Sequence, residues 1–273
     1  MEKITENKIT SIEKFGYGLG NLGFGIVFQC LASYLLFYTT AVLGLPGKYI
    51  GTIMAIGVFW DAITDPLMGY ISDITMFRKW GKRHLYLLIG TITITLLNYT
   101  LWNINTEIEN SIKLMLILVY VMLLKTSLTV YGTPYTALGA ELSSDYNERT
   151  SIQSYKTVFF LLGLAFPMVA GLILFFKPTS EFPIGQLNPL GYSKMGITTS
   201  VIMLITGVIC IISTKKYISN TMQASIKKKQ KVFDMFMEAL KNKYFIYIFW
   251  GYLAVNISSA LIGSIGLHVF TYT

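Results

Sequence analysis

Two aspartates within an otherwise apolar stretch are the strongest candidates for chemistry in this sequence. Asp61 and Asp65 stand four residues apart, so on a helix their carboxylates project from one face, one turn apart. Two carboxylates this close in a low-dielectric environment repel each other, and a bound cation, a shared proton or a facing Lys or Arg removes that cost. Because hard cations such as Na⁺ favour oxygen ligands, the pair predicts a cation site. The structural alternative is a hydrogen-bonded cluster that braces neighbouring helices. Pro66 follows directly and predicts a local break of the helix after the pair.

A lysine lies near the centre of another apolar stretch. An ammonium group at that depth should face protein or water rather than lipid. On a helix, Thr129 and Gly132 share the face of Lys125. We expect Lys125 to reach the Asp61/Asp65 cavity, where it pairs with a carboxylate of the empty site or contacts substrate. The alternative is that its flexible stem snorkels toward the outer interface.

The composition assigns these residues to a membrane. The chain is 53% hydrophobic and only 13% charged, with a mean hydropathy of +0.55, which is too apolar for a soluble domain. Apolar runs of about 20 residues must be helical in lipid, since every backbone polar group needs an internal partner. The sequence therefore predicts an all-α polytopic membrane protein with the lipid bilayer as its solvent. Seven spans are expected, at about 15–39, 47–71, 84–103, 112–138, 152–176, 196–214 and 244–270.

The charged residues lie between these runs and indicate topology. Most of the 22 lysines and arginines fall on the side of the N-terminus, which is therefore expected to be cytoplasmic in a multi-pass protein of the cell (plasma or inner) membrane. The net charge of +8 is distributed as topology signals, so no nucleic-acid partner is expected. The two cysteines and two histidines form no metal or nucleophile motif. We expect no enzyme activity, no cofactor and no metal beyond a transported cation.

Three regions follow from this pattern. Residues 1–214 are expected to form an N-terminal six-helix bundle, and residues 215–243 a basic cytoplasmic linker with an amphipathic helix, or else a plain solvated tether. Residues 244–273 are expected to be the first helix of an incomplete second bundle, so that the chain is apparently truncated. The sequence does not define an oligomeric state.

Charged residues also cluster where the second and fourth spans end. Asp73 precedes a tight basic turn, and a second charged hairpin follows the fourth span. An acid at a helix end beside basic residues is typical of a salt-bridged gate between helices, whereas charges that only set the topology are the alternative. The candidate residues of this cytoplasmic gate are Asp73, Arg78, Lys82, Arg83, Asp145 and Arg149.

Four segments together resemble one family of carriers. They are residues 17–21 (Tyr-Gly-Leu-Gly-Asn), 60–66 (Trp-Asp-Ala-Ile-Thr-Asp-Pro), Asp73 with the turn at 80–83 (Trp-Gly-Lys-Arg), and Pro134-Tyr135 through Asp145 to Arg149. In order and spacing they are similar to the glycoside-pentoside-hexuronide:cation symporters, the melibiose-carrier branch of the major facilitator superfamily. The resemblance spans about residues 14–270. It implies a twelve-helix carrier that alternates access between its halves and moves a sugar with Na⁺, Li⁺ or H⁺.

The resemblance also implies roles for individual residues. The family's cation-binding aspartates fall on Asp61 and Asp65, and its associated polar positions fall on Thr64 and Thr129. Lys125, Lys156 and Tyr135 are the candidates for substrate contact or coupling, with Lys156 standing at the family's basic position on the fifth helix. Several sugar-binding positions of the melibiose carrier differ here, which argues against melibiose itself as the substrate. These are Gly25, Val58, Gly132 and Thr136.

Cation-coupled (Na⁺ or H⁺) symport of a sugar or glycoside is therefore the leading expectation. One alternative is a non-transporting truncated fragment of such a carrier. A seven-helix membrane receptor is the other, although the predicted cytoplasmic N-terminus and the lack of a lysine in 244–270 for a retinal Schiff base oppose it.

Overall fold

The computed structural model describes residues 9–75, 77, 80–218 and 241–272. Helices account for almost all of them, and six of these helices are long and apolar enough to cross a membrane. The helices are α1 Ser11–Phe37, α2 Gly47–Ile74, α3 His84–Leu101, α4 Asn110–Glu141, α5 Tyr146–Ala170, α6 Pro189–Thr214 and α7 Lys243–Tyr272. Short π-helical segments, Tyr38–Val42 and Gly171–Phe175, extend α1 and α5.

Polar side chains define where several helices begin. The hydroxyl of Thr10 accepts a hydrogen bond from the backbone N–H of Glu13, whose carboxylate accepts one from the Thr10 N–H, so α1 starts with a capping box. Asp145 caps α5 in the same way by accepting from the Glu148 N–H at 2.8 Å. As a result, α5 starts well before the predicted span at about 152, because its first two turns are polar and carry no hydropathy signal.

Helix α2 runs through Pro66 without a break and ends at Ile74. The predicted break after the aspartate pair is therefore wrong. A proline in a helix removes one backbone hydrogen bond and costs about 3 kcal/mol. In α2, side-chain bonds to α4 lie just before and beside the proline, and they hold the helix in one piece.

The six helices α1–α6 form an arc in the order α5, α1, α6, α3, α4, α2. Helix α1 packs against both α5 and α6, α3 packs against α4 and α6, and α2 packs mainly against α4. The crossing of α1 and α5 is close, since a Cβ added at Gly163 would lie 2.6 Å from the Leu22 carbonyl oxygen. Helices α2 and α5 at the ends of the arc expose large apolar side chains, as lipid or apolar protein surface requires.

A polar cluster lies between α3 and α6 inside the bundle. The Asn98 amide donates to the hydroxyls of Thr199 at 2.9 Å and Ser200 at 2.8 Å, and its oxygen accepts from the Trp102 indole N–H at 3.0 Å. All four side chains are buried. The cluster joins the two helices where neither water nor lipid can satisfy these groups.

Helix α7 packs against α1, with Leu267 against the apolar core. The predicted seventh span is thus helical. The predicted linker and its amphipathic helix fall largely on 219–240, which lies outside the described residues, as does Arg78. The proposed division into three regions stays a prediction.

Candidate cation and substrate site

The site is built between two parallel helices in fixed register. The Lys125 ammonium on α4 forms an ion pair with the Asp61 carboxylate on α2. One turn further along, the Thr129 hydroxyl donates to Asp65 Oδ1 at 2.6 Å. Both pairs are separated by 64 residues, so α2 and α4 run in the same direction. The sequence placed these four residues on two helix faces, and the structure brings the two faces together.

Lys125 reaches Asp61 through a gap left by a glycine. A Cβ added at Gly57 would lie 2.6 Å from Lys125 Cε and 2.8 Å from Cδ, so the lysine stem occupies the space of the missing side chain. Beside it, the Trp60 indole N–H donates to the Thr126 hydroxyl at 2.8 Å. The ammonium is therefore directed to a carboxylate on the neighbouring helix and does not snorkel toward the outer interface.

Among the described residues, Asp61 has a cationic partner at this site and Asp65 has none. Asp61 and Lys125 are partly buried, with 34% and 22% of their side chains exposed. Asp65, by contrast, receives its hydrogen bond from a neutral hydroxyl. The Thr64 hydroxyl donates to the Trp60 carbonyl at 3.0 Å, which leaves its oxygen lone pairs available. Carboxylate and hydroxyl oxygens of this kind suit a monovalent hard cation.

Lys156 is a residue of α5, and its side chain reaches α4. Its ammonium donates to the Thr136 hydroxyl at 3.1 Å and lies 5.8 Å from the centre of the Tyr135 ring. Its backbone carbonyl accepts from the Asn21 amide at 3.1 Å. Lys156 therefore presents its charge beside α4 without an ion pair in the described part of the chain.

Tyr135 itself lies in the core. Its ring stacks on Tyr17 with centres 4.5 Å apart, and each hydroxyl donates to the other residue's carbonyl, at 2.8 and 3.1 Å. With 1% of its surface exposed, Tyr135 joins α1 to α4 as a packing residue. Its predicted role in substrate contact or coupling stays a prediction.

A second charged cluster closes the end of the bundle at the α2–α3 loop. The Arg83 guanidinium contacts Asp73 at 2.6 Å, Glu141 at 2.7 Å and the Ser72 hydroxyl at 2.7 Å. Burial by itself lowers the pKa of Arg83, but the two carboxylates outweigh this effect and hold its pKa above the ordinary value. Lys82 donates to the Asp73 carbonyl at 3.1 Å. Arg83 thus ties the ends of α2, α3 and α4 together.

Of the other three predicted gate residues, Arg78 lies outside the described residues, and Asp145 and Arg149 bond within the α4–α5 connection. Asp145 caps α5, and Arg149 donates to the Ser143 carbonyl. Sequence reasoning missed Glu141 as a partner of Arg83, although an acid three residues after the predicted end of the fourth span was the available signal. It also missed Gly57, whose role depends on which helix lies opposite.

Comparison with known proteins agrees with this architecture. The model of a family described as "MFS/sugar transport protein" matches residues 16–273. An uncharacterized symporter of Synechocystis sp., sll1374, is 32% identical over 208 residues, which cover 74% of this chain and 37% of that protein. The inner membrane symporter YicJ of Escherichia coli is 29% identical, covering 75% of this chain and 43% of its own length. The putative glycoside/cation symporter YagG of the same species is 28% identical, with 77% and 44% covered. The chain thus spans less than half the length of these relatives.

Proposed function

From the premise that the chain belongs to the MFS/sugar transport protein family, and within the major facilitator superfamily to the glycoside-pentoside-hexuronide:cation symporters, we propose that it is part of a cation-coupled sugar or glycoside symporter. The family consists of transporters, which agrees with the expectation of no enzyme activity. Relatives named as symporters do not favour the receptor alternative.

One observation carries the proposal: two aspartates, one turn apart in an apolar helix, face a lysine and a threonine of the neighbouring helix. Ionised groups are costly at this depth and are retained where ions or substrates are handled. We propose Asp65, Thr129, Thr64 and Asp61 as the cation site, with Na⁺ or H⁺ as the coupling ion. Coupling then means that cation and sugar stabilise the same conformation.

The substrate side of the proposal concerns the surface where α1, α4 and α5 meet. Lys156 and Thr136 offer hydrogen-bond donors there, and the aromatic rings of Phe24, Phe28 and Phe160 pack next to one another. Polar donors beside aromatic faces suit a sugar, which has hydroxyl groups and an apolar ring face. The name of YagG supports a glycoside as the substrate class.

The remaining proposals concern position and gating. We place the protein in the plasma or inner membrane with its N-terminus in the cytoplasm, on the basis of its lysine and arginine distribution. The α2–α3 end is then cytoplasmic, and the Arg83 cluster with Lys82 and Asp73 is proposed as the gate. Arg78, Asp145 and Arg149 stay predictions for the same gate.

The test is uptake of radiolabelled glycosides into membrane vesicles that contain the full chain, with an imposed Na⁺ or H⁺ gradient. Asp65→Asn should abolish gradient-driven uptake, since it removes the site's carboxylate that has no ion pair among the described residues. Glu107→Gln, an acid in the α3–α4 loop, is the matched control and should transport normally. Uptake that ignores both gradients, or that survives Asp65→Asn, contradicts cation coupling through this site. Absence of uptake by the wild type contradicts transport by this chain.

A further inference from the structure

The side chain of Lys125 places a positive charge within the proposed cation site. Its ammonium forms an ion pair with Asp61, and its stem fills the gap at Gly57. The contact is thus supported on both sides: the carboxylate binds the charge, and the glycine accommodates the methylene groups. A lysine held in this way occupies an oxygen of Asp61 that a metal ion would otherwise use.

The net charge of the site follows from its three ionisable side chains, Asp61, Asp65 and Lys125. Two carboxylates and one ammonium leave a net charge of −1, located on Asp65, which accepts a hydrogen bond from the neutral Thr129 hydroxyl. A single monovalent cation neutralises such a site. That cation must bind beside the lysine ammonium, which repels it, and it has fewer carboxylate oxygens available.

We propose that Lys125 is a built-in cation that occupies Asp61 and lowers the affinity of the α2–α4 site for Na⁺, so that one monovalent cation binds at Asp65 and Thr129. This inference rests on the proposed cation site but not on transport itself. Lys125 is then a specificity-determining residue, because it sets how tightly the site binds Na⁺, and Asp61 is the residue that positions Lys125.

The proposal predicts that Na⁺ affinity follows the net charge of the site. Lys125→Met keeps most of the stem and gives −2, so its apparent Kd for Na⁺ should fall by about tenfold or more relative to wild type. Asp61→Asn gives 0 and should bind Na⁺ more weakly than wild type. The double variant Asp61→Asn/Lys125→Met returns to −1 and should recover wild-type affinity to within a few-fold.

The measurement uses the purified full chain in detergent. Na⁺ replaces choline at constant ionic strength and fixed pH, and both the rise in thermal unfolding midpoint and direct binding of radioactive Na⁺ are recorded. Lys113→Met changes a buried lysine of the same helix that bonds to the Leu43 carbonyl and Asn110, and it should match wild type. If Lys125→Met does not fold, the comparison of Asp61→Asn with the double variant tests the same claim.

The inference is overturned if Na⁺ affinity is unchanged or weaker in Lys125→Met, or if the double variant binds Na⁺ no better than Asp61→Asn. Absence of Na⁺ binding in every variant overturns it as well. The proposed function fails separately. If uptake is independent of any gradient but the Na⁺ affinity still follows the net charge of the site, only symport is contradicted. If uptake is driven by Na⁺ but Lys125→Met leaves the Na⁺ affinity unchanged, only this inference is contradicted.

Discussion

The Arg83 cluster makes a graded prediction about stability, because its two carboxylates differ in burial. The Arg83 side chain is 5% exposed, Glu141 is 19% exposed and Asp73 is 65% exposed. An exposed ion pair contributes little to stability, because water screens the attraction between its charges and also solvates them well when they are apart. The contact with Glu141 should therefore matter more than the contact with Asp73, although the two distances differ by only 0.1 Å.

Three substitutions test this ranking, each with an expected change in the free energy of unfolding. Arg83→Met leaves both carboxylates and the Ser72 hydroxyl without their donor, and we expect a loss of about 3–5 kcal/mol in the free energy of unfolding. Glu141→Gln weakens a charge-assisted hydrogen bond and should cost about 1.5–3 kcal/mol. Asp73→Asn should cost at most about 1 kcal/mol. Because Arg83 and Glu141 are in contact, the double variant should cost less than the sum of the two single ones.

The assay is reversible unfolding of the purified full chain, with sodium dodecyl sulfate titrated into mixed micelles and helicity followed by circular dichroism. Arg149→Met is the matched control, since this exposed arginine donates only to a backbone carbonyl in the described contacts, and its cost should stay below about 1 kcal/mol. The reasoning is refuted if Asp73→Asn costs as much as Glu141→Gln, or if Arg83→Met is no worse than Arg149→Met.

Three further predictions use the same unfolding assay, and the one at Gly57 also uses the Na⁺-binding measurement. Gly90→Ala should lower the free energy of unfolding by about 1–3 kcal/mol, since an added Cβ would lie 2.9 Å from backbone atoms of α4. Gly51→Ala, whose added Cβ would have no atom of the described residues within 4 Å, should not destabilise. Equal effects would contradict the close packing of α3 on α4. A Cβ added at Gly57 would come closer than 3 Å only to the flexible stem of Lys125, so Gly57→Ala should change the free energy of unfolding little. It should move the ammonium away from Asp61 and shift the Na⁺ affinity in the same direction as Lys125→Met. Asn98→Leu should cost about 1–2 kcal/mol, because it removes the acceptor of the buried Trp102 indole N–H and the donor to the buried Ser200 hydroxyl. An unchanged unfolding curve would show that the polar cluster contributes no net stability.

The sequence predicted the membrane class and the existence of the helices because lipid imposes long apolar runs, and these are visible without an alignment. It failed at positions where local rules compete with tertiary contacts. Pro66 predicts a break, yet α2 is continuous through it, with bonds to α4 at Asp61 and Asp65 just before the proline. The polar start of α5 was missed because Asp145 caps a turn with no hydropathy signal.

The site was predictable only in part for the same reason. Spacing placed Asp61 with Asp65 and Lys125 with Thr129, since periodicity within one helix is a local property. Which helices face each other, and in what register, depends on packing over 64 residues of chain. That is why Glu141 and Gly57, whose roles exist only across an interhelical contact, were not found from the sequence.

The common register of α2 and α4 has a mechanical consequence. Asp61 lies level with Lys125, Asp65 with Thr129, and Gly69 packs beside Thr133. Sliding α2 by one turn, about 5.4 Å, would bring Lys125 to Asp65 but leave Asp61 against the apolar side chain of Val121. A one-turn slide in the other direction would bring Asp61 to Thr129 and Asp65 to Thr133 but leave the Lys125 ammonium without its carboxylate. Because each slide removes a polar contact, we expect the two helices to move as a pair. Any opening beside the ion site must then occur along the faces of α2 that do not touch α4.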